Sequence, residues 1–144
     1  QEIIDGYKRR FAGITTFLQE CIEQAQRHGY VETMLKRRRP IPDIDSTNPS
    51  RRALAERTAI NSVVQGSAAD LIKKAMLDLR QALGQHGLRS QLVLQIHDEL
   101  LLEVPEDEAE AARALVERVM QGALQLAVPL EVGARLGRSW AEAH

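Results

Sequence analysis

Two short apolar runs, Leu92-Val93-Leu94-Gln95-Ile96 and Leu100-Leu101-Leu102-Glu103-Val104, are separated only by His97-Asp98-Glu99. Runs of this length and composition read as β-strands, and so tight a connection predicts an antiparallel hairpin, because parallel strands need a crossover of a dozen or more residues. Pro105 stops the second strand. A two-stranded hairpin is marginal alone, so apolar helix faces must cover it.

The helices that can do so flank the hairpin. Asn48 before Pro49 is a good helix start, since an Asn side chain caps free amides and proline costs nothing at the first helical position. The pattern then reads as helix over residues 49–85, with Gly66 as a bend or close-packing point and Gly84 and Gly87 at its end. Leu71, Ile72, Ala75, Met76 and Leu79 form one apolar stripe on it, and Ala111, Leu115, Val119 and Leu124 form another on a helix expected over residues 107–126. Both stripes are expected on one face of the hairpin. Nearer the start, residues 3–28 repeat apolar positions at helical spacing, with an interruption near Gly13 and a C-cap at Gly29. A strand over residues 30–34, a hairpin or loop over residues 36–45 and a last strand Leu130-Glu131-Val132 complete the reading. The fold class is α+β: a small antiparallel sheet packed against long α-helices.

The 144 residues are 44% hydrophobic and 27% charged, which describes one soluble globular domain. Nineteen Lys and Arg against twenty Asp and Glu mean that any charge-driven partner is met locally. The charges are segregated: from Arg27 to Arg57 eight cations face four acids, and from Asp98 to Arg118 eight acids face two arginines. No apolar run approaches the ~20 residues that cross a bilayer, and no export signal opens the chain, so a cytoplasmic location without membrane attachment is expected. The lone Cys21 reads as a buried small hydrophobe, not a redox centre. Gln1 falls inside a helical pattern with neither Met nor a cap before it, which reads as a fragment.

Two constellations could carry chemistry. Asp98 and Glu99 are adjacent carboxylates on a stiff turn, where they repel each other and gain nothing structurally. A cation such as Mg²⁺, commonly held by one or two carboxylates plus substrate phosphates, would neutralise them. An ordinary polar turn has the same composition. Arg57, Asn61 and Gln65 are spaced by four, which places them on one helix face, opposite Leu54, Ile60, Val63 and Val64. Such donors suit the minor groove of DNA, where every base pair presents acceptors at similar positions, although a solvated helix face would look alike. The run Lys36-Arg37-Arg38-Arg39 on the adjoining hairpin is either solvated or a phosphate contact.

Gln95-Ile96-His97-Asp98-Glu99-Leu100 closely resembles the last signature of the family A DNA polymerases, the bacterial DNA polymerase I type. Tyr30-Val31-Glu32-Thr33, Arg37-Arg38, Pro42-Asp43-Ile44, Ala55-Glu56-Arg57-Thr58-Ala59-Ile60-Asn61 and Gln65-Gly66-Ser67-Ala68-Ala69-Asp70 are similar to successive blocks of that family, in order, as is the ending from Trp140. Lys36 and Pro40 depart from the family's usual loop. The resemblance spans essentially the whole chain and implies the carboxyl-terminal part of the fingers over residues 1–60 and the carboxyl-terminal half of the palm over residues 61–144. It implies that Asp98, with Glu99 beside it, binds catalytic Mg²⁺ and that His97 lies near the primer end. It also implies that Arg57, Asn61 and Gln65 contact the minor groove, and that Arg37 and Arg38 bind DNA.

The activity so implied is nucleotidyl transfer to a primer 3′ hydroxyl by a two-metal mechanism. The implied partners are primer-template DNA, deoxynucleoside triphosphates and the remainder of a monomeric polymerase chain. The family's other acidic motif, with its Asp-Tyr-Ser-Glu core, has no counterpart in these residues, so the 144 residues alone are expected to be inactive. A free-standing nucleic-acid-binding module and, more weakly, a metal-dependent phosphodiesterase built on Asp98 and Glu99 are the competing readings.

Overall fold

The computed structural model describes residues 10–143, so the expected helical residues 3–9 lie outside the described part. Two compact units divide the chain, Gln1–Asp70 and Leu71–His144.

In the first unit, helix α1 (Ala12–His28) begins just past an interruption at Phe11 and passes through Gly13 unbroken. It ends where Gly29 adopts a left-handed φ of 74° and donates its amide to the Ala25 carbonyl at 2.7 Å, a conformation that costs glycine little. Strands β1 (Tyr30–Glu32) and β2 (Arg38–Pro40) pair antiparallel, with Tyr30 opposite Pro40, Val31 opposite Arg39 and Glu32 opposite Arg38. The Asn48 carboxamide oxygen then accepts from the amides of Ser50 (3.0 Å) and Arg51 (3.3 Å) and starts helix α2, Pro49–Gln85. Ala25, Val31, Ile41, Ile44, Ala55 and Ala59 form the core of this unit, with Val63 against it.

That core corrects two expectations. In the part of α2 that belongs to this unit the buried hydrophobic residues are Ala55 and Ala59, while Leu54 and Val64 stay exposed. Small side chains let Val31, Ile41 and Ile44 approach the helix closely. On α1 only Cys21 and Ala25 are buried, whereas Phe11, Ile14, Phe17 and Leu18 remain exposed because no element of the unit's core cluster reaches that end of the helix.

In the second unit, α2 closes with a Schellman arrangement: Gly87 (φ 66°) donates to Gly84 O at 3.1 Å and Leu88 donates to Leu83 O at 3.0 Å. Strands β3 (Gln91–Ile96) and β4 (Glu99–Glu103) pair antiparallel with a shift of register between Leu92 and Leu94. After a single 3₁₀ turn, Glu106–Glu108, comes helix α3 (Ala109–Gln121), and the short helix α4 (Trp140–Ala143) lies near the end. Leu79, Leu83, Leu115 and Val116 form the core, joined by Leu88, Leu100, Leu102, Val119 and Met120. Of the expected stripes, Leu79 of α2 and Leu115 and Val119 of α3 pack with the hairpin, while Ala111 is exposed, its neighbour Ala112 is buried instead, and Leu124 lies past the end of α3.

Two details differ from expectation here. Helix α3 stops at Gln121 and does not reach residue 126: Gly122 is the weakest helix former in the stretch, and Ala123 turns its amide to Met120 O in a tighter bond. Residues 130–132 form no strand, since strand pairing needs a neighbouring edge, and nearby Ala134 donates its amide to the Glu117 carboxylate (3.2 Å). The hairpin itself is covered on one side, as expected: Leu100 and Leu102 of β4 join the core, while Val93 and Leu94 are 58% and 45% exposed.

Candidate nucleic-acid groove and acidic hairpin tip

The groove belongs to the first unit and is built by fastening the β1–β2 hairpin onto α2. The Arg37 guanidinium donates through Nε to Asp70 Oδ1 (2.7 Å) and through Nη2 to Gly66 O (3.1 Å). The buried Thr33 hydroxyl donates to Asp70 Oδ2 (2.5 Å), and the Met34 amide donates to Ser67 Oγ (2.9 Å). Gly66 makes the approach possible, since a Cβ there would lie 2.7 Å from Thr33 Cγ2. It is a close-packing point, and α2 runs through it as one helix.

Beside this lock lies a pocket of about 400 Å³ lined by Arg37, Arg39, Thr58, Asn61, Gln65 and Gly66 among others, with no carboxylate in its wall. Asn61 and Gln65 are exposed there and make no hydrogen bond through their side chains among the described residues. Arg57, one turn earlier on α2, is exposed and lies outside the pocket lining.

Strand alternation sends Arg38 to the other side of the hairpin. Its Nε donates to Glu32 Oε1 (3.0 Å) and its guanidinium lies 4.7 Å from the centre of the Tyr30 ring. The Arg38 hydrogen bond, reinforced by the charges of Lys36 and Arg38, holds the Glu32 carboxyl below the usual range. Arg39 is the groove-lining residue that a reading by charge run does not separate from Arg38. The signal that finds it is the period of two along β2.

The acidic tip belongs to the second unit. Ile96 pairs with Glu99, leaving His97 and Asp98 as the exposed turn. His97 has a φ of 53°, a left-handed conformation that a non-glycine residue seldom adopts and that costs about 1–3 kcal/mol. Its carbonyl accepts from Gln95 Nε2 at 2.6 Å, which ties the turn back to β3. Asp98 and Glu99 are both exposed and also line a broad groove of about 1710 Å³ that extends to Leu101, Met120 and Trp140. Hard carboxylate oxygens on a stiff turn are the donors Mg²⁺ prefers. No group of three metal-ligating side chains occurs among the described residues, so such an ion would take its other ligands from substrate, water or further protein.

The base of this hairpin is clamped by a residue that composition alone assigns to a generally acidic surface. Glu108 accepts from the Arg89 amide (2.9 Å), Arg89 Nε (2.9 Å), the Ser90 amide (3.1 Å) and the Ser90 hydroxyl (2.9 Å). The Arg89 amide first, then the Arg89 side chain and Ser90, hold its carboxyl down to about 2. No local sequence signal joins these partners, which lie 18 and 19 residues away.

The model for DNA polymerase family A matches residues 1–142. The chain is 49% identical over 140 residues to DNA polymerase I of Lactococcus lactis subsp. cremoris (strain MG1363), covering 97% of this chain and 16% of that protein. It is 46% identical over 140 residues to DNA polymerase I of Bacillus subtilis (strain 168), with the same coverage. Among solved structures, the POL domain of Pol1 from M. smegmatis, in complex with DNA primer-template and dNTP, superimposes with a TM-score of 0.92 at 47% identity, covering 97% of this chain and 25% of that one. The chain belongs to DNA polymerase family A. It spans about a sixth of the length of the curated relatives it matches.

Proposed function

We propose that this chain supplies primer-terminus contacts and one acidic metal-binding corner of a template-directed DNA polymerase. The observation that carries this reading is the acid-free pocket in which Asn61, Gln65 and two guanidiniums meet, in a chain that aligns over 97% of its length with DNA polymerase I relatives. Exposed amide and guanidinium donors along one helix face match minor-groove acceptors common to all base pairs, so the groove senses pair geometry and not base identity. Arg57 extends that face by one turn. Of the two hairpin arginines expected to bind DNA, Arg37 is ion-paired with Asp70 and braces the groove wall, and Arg38 is paired with Glu32 on the far side of the hairpin, so on this reading both act by holding the hairpin.

In the second unit Asp98, with Glu99 beside it, would hold Mg²⁺, and His97 lies next to the primer end. When bound, one ion would lower the pKa of the primer 3′ hydroxyl and a second would stabilise the charge that develops as pyrophosphate leaves. The stiff turn keeps Asp98 exposed, with no hydrogen-bond or ion-pair partner among the described residues. Residues 1–60 correspond on this reading to the end of the fingers and residues 61–144 to half of the palm. The partners are primer-template DNA, deoxynucleoside triphosphates and the remaining polymerase chain.

The test is Asp98→Ala in a polymerase that contains this chain. Single-turnover primer extension should slow by several orders of magnitude while primer-template affinity stays nearly constant, because the change removes a metal ligand and no phosphate contact. Extension at the ordinary rate would overturn the assignment.

A further inference from the structure

Three consecutive arginines on one hairpin have three different fates. Arg38 faces away from the groove and is engaged by Glu32 and the Tyr30 ring. Arg37 faces the groove but spends its Nε and Nη2 on Asp70 and the Gly66 carbonyl. Arg39, on the groove side and paired in register with Val31, is exposed and makes no ion pair or side-chain hydrogen bond among the described residues. Its planar fork is thus available in full to a ligand.

The surroundings select the ligand. The pocket wall holds no carboxylate, and with Arg37 balanced by Asp70 behind it the unpaired charge is that of Arg39, so the pocket favours an anion, and a planar guanidinium meets a phosphodiester through two parallel hydrogen bonds. Asn61 and Gln65 share the pocket and, on the function proposed above, face base edges. A guanidinium across from them would meet the backbone of the same strand. We infer that Arg39 grips a backbone phosphate of the nucleic-acid strand whose base edges face Asn61 and Gln65. The inference rests on the groove reading, adds a residue to it, and makes Arg39 indifferent to sequence.

The experiment measures primer-template binding against salt concentration in a polymerase that contains this chain, by fluorescence anisotropy of a labelled duplex. Variants Arg39→Gln, Arg39→Lys and Gln65→Ala are compared with the parent, and single-turnover extension from primers ending in each of the four base pairs is measured alongside. Arg39→Gln should weaken binding several-fold for every duplex sequence and reduce the slope of log affinity against log salt by about 0.9, the loss of one phosphate contact. Arg39→Lys should keep the slope. If Arg39→Gln leaves slope and affinity unchanged while Gln65→Ala impairs extension from all four terminal pairs, Arg39 is not the phosphate ligand and the groove reading stands. If both variants behave as the parent, the groove reading fails together with the inference. A loss with Arg39→Gln confined to particular sequences would overturn the phosphate assignment in favour of a base contact.

Discussion

The two units fasten a β-hairpin onto the same helix, α2, by opposite means. In Gln1–Asp70 the fastening is polar: Thr33, Arg37 and the Met34 amide are tied to Asp70, Gly66 and Ser67. In Leu71–His144 it is apolar, with Leu100 and Leu102 of β4 joining Leu79, Leu83 and Leu115. Directional hydrogen bonds hold the first hairpin at one height above the helix and so define a pocket wall. The leucine core leaves the second hairpin's tip free to project while its base is clamped by Glu108. The groove depends on geometry and the tip on stiffness.

If this contrast is right, the two fastenings fail differently. The largest effect is expected from Leu79→Ala, which empties a fully buried site and should cost about 2–5 kcal/mol in chemical denaturation of the chain, with hydrogen exchange quickening in β3, β4 and α3. A loss below about 1 kcal/mol would show that the second hairpin is not held by that core. Asp70→Ala removes the acceptor of both Thr33 and Arg37 and should cost about 1.5–3 kcal/mol, with faster exchange confined to β1 and β2. Spread of the faster exchange into β3 and β4 would break the comparison.

A smaller effect comes from acid. Glu108 is held at about 2 from an ordinary 4.5, so its clamp contributes fully above pH 4.5 and is lost as the pH falls towards 2. Glu32, also lowered, acts in the same direction in the first unit. The urea midpoint should therefore fall between about pH 4.5 and pH 2, and Glu108→Gln should flatten that fall. An unchanged acid limb in Glu108→Gln would mean the clamp contributes nothing to pH dependence.

What was legible in the sequence follows the reach of each interaction. The Asn48 cap and the glycine ends at Gly29 and Gly87 are local rules, and they stand where the residues place them. The β3–β4 hairpin was legible because its turn is so short. The 130–132 strand was not, since a strand exists only with an edge to pair with. Arg37 and Arg38 read alike as cations. Only the register of β2 against β1 separates them and brings Arg39 to the groove. The Glu108 clamp joins residues 18 and 19 positions apart and leaves no periodic trace. On α1 the apolar stripe was visible, but its pattern carries no information on what covers Phe11 to Leu18.

A groove that senses base-pair geometry without choosing bases is tested by single-turnover extension with Gln65→Ala, in a polymerase that contains this chain, from primers ending in each of the four base pairs. A similar slowing is expected at all four termini, because the minor-groove acceptors that Gln65 would meet are common to them. Slowing confined to one base pair, or none at any terminus, would contradict it.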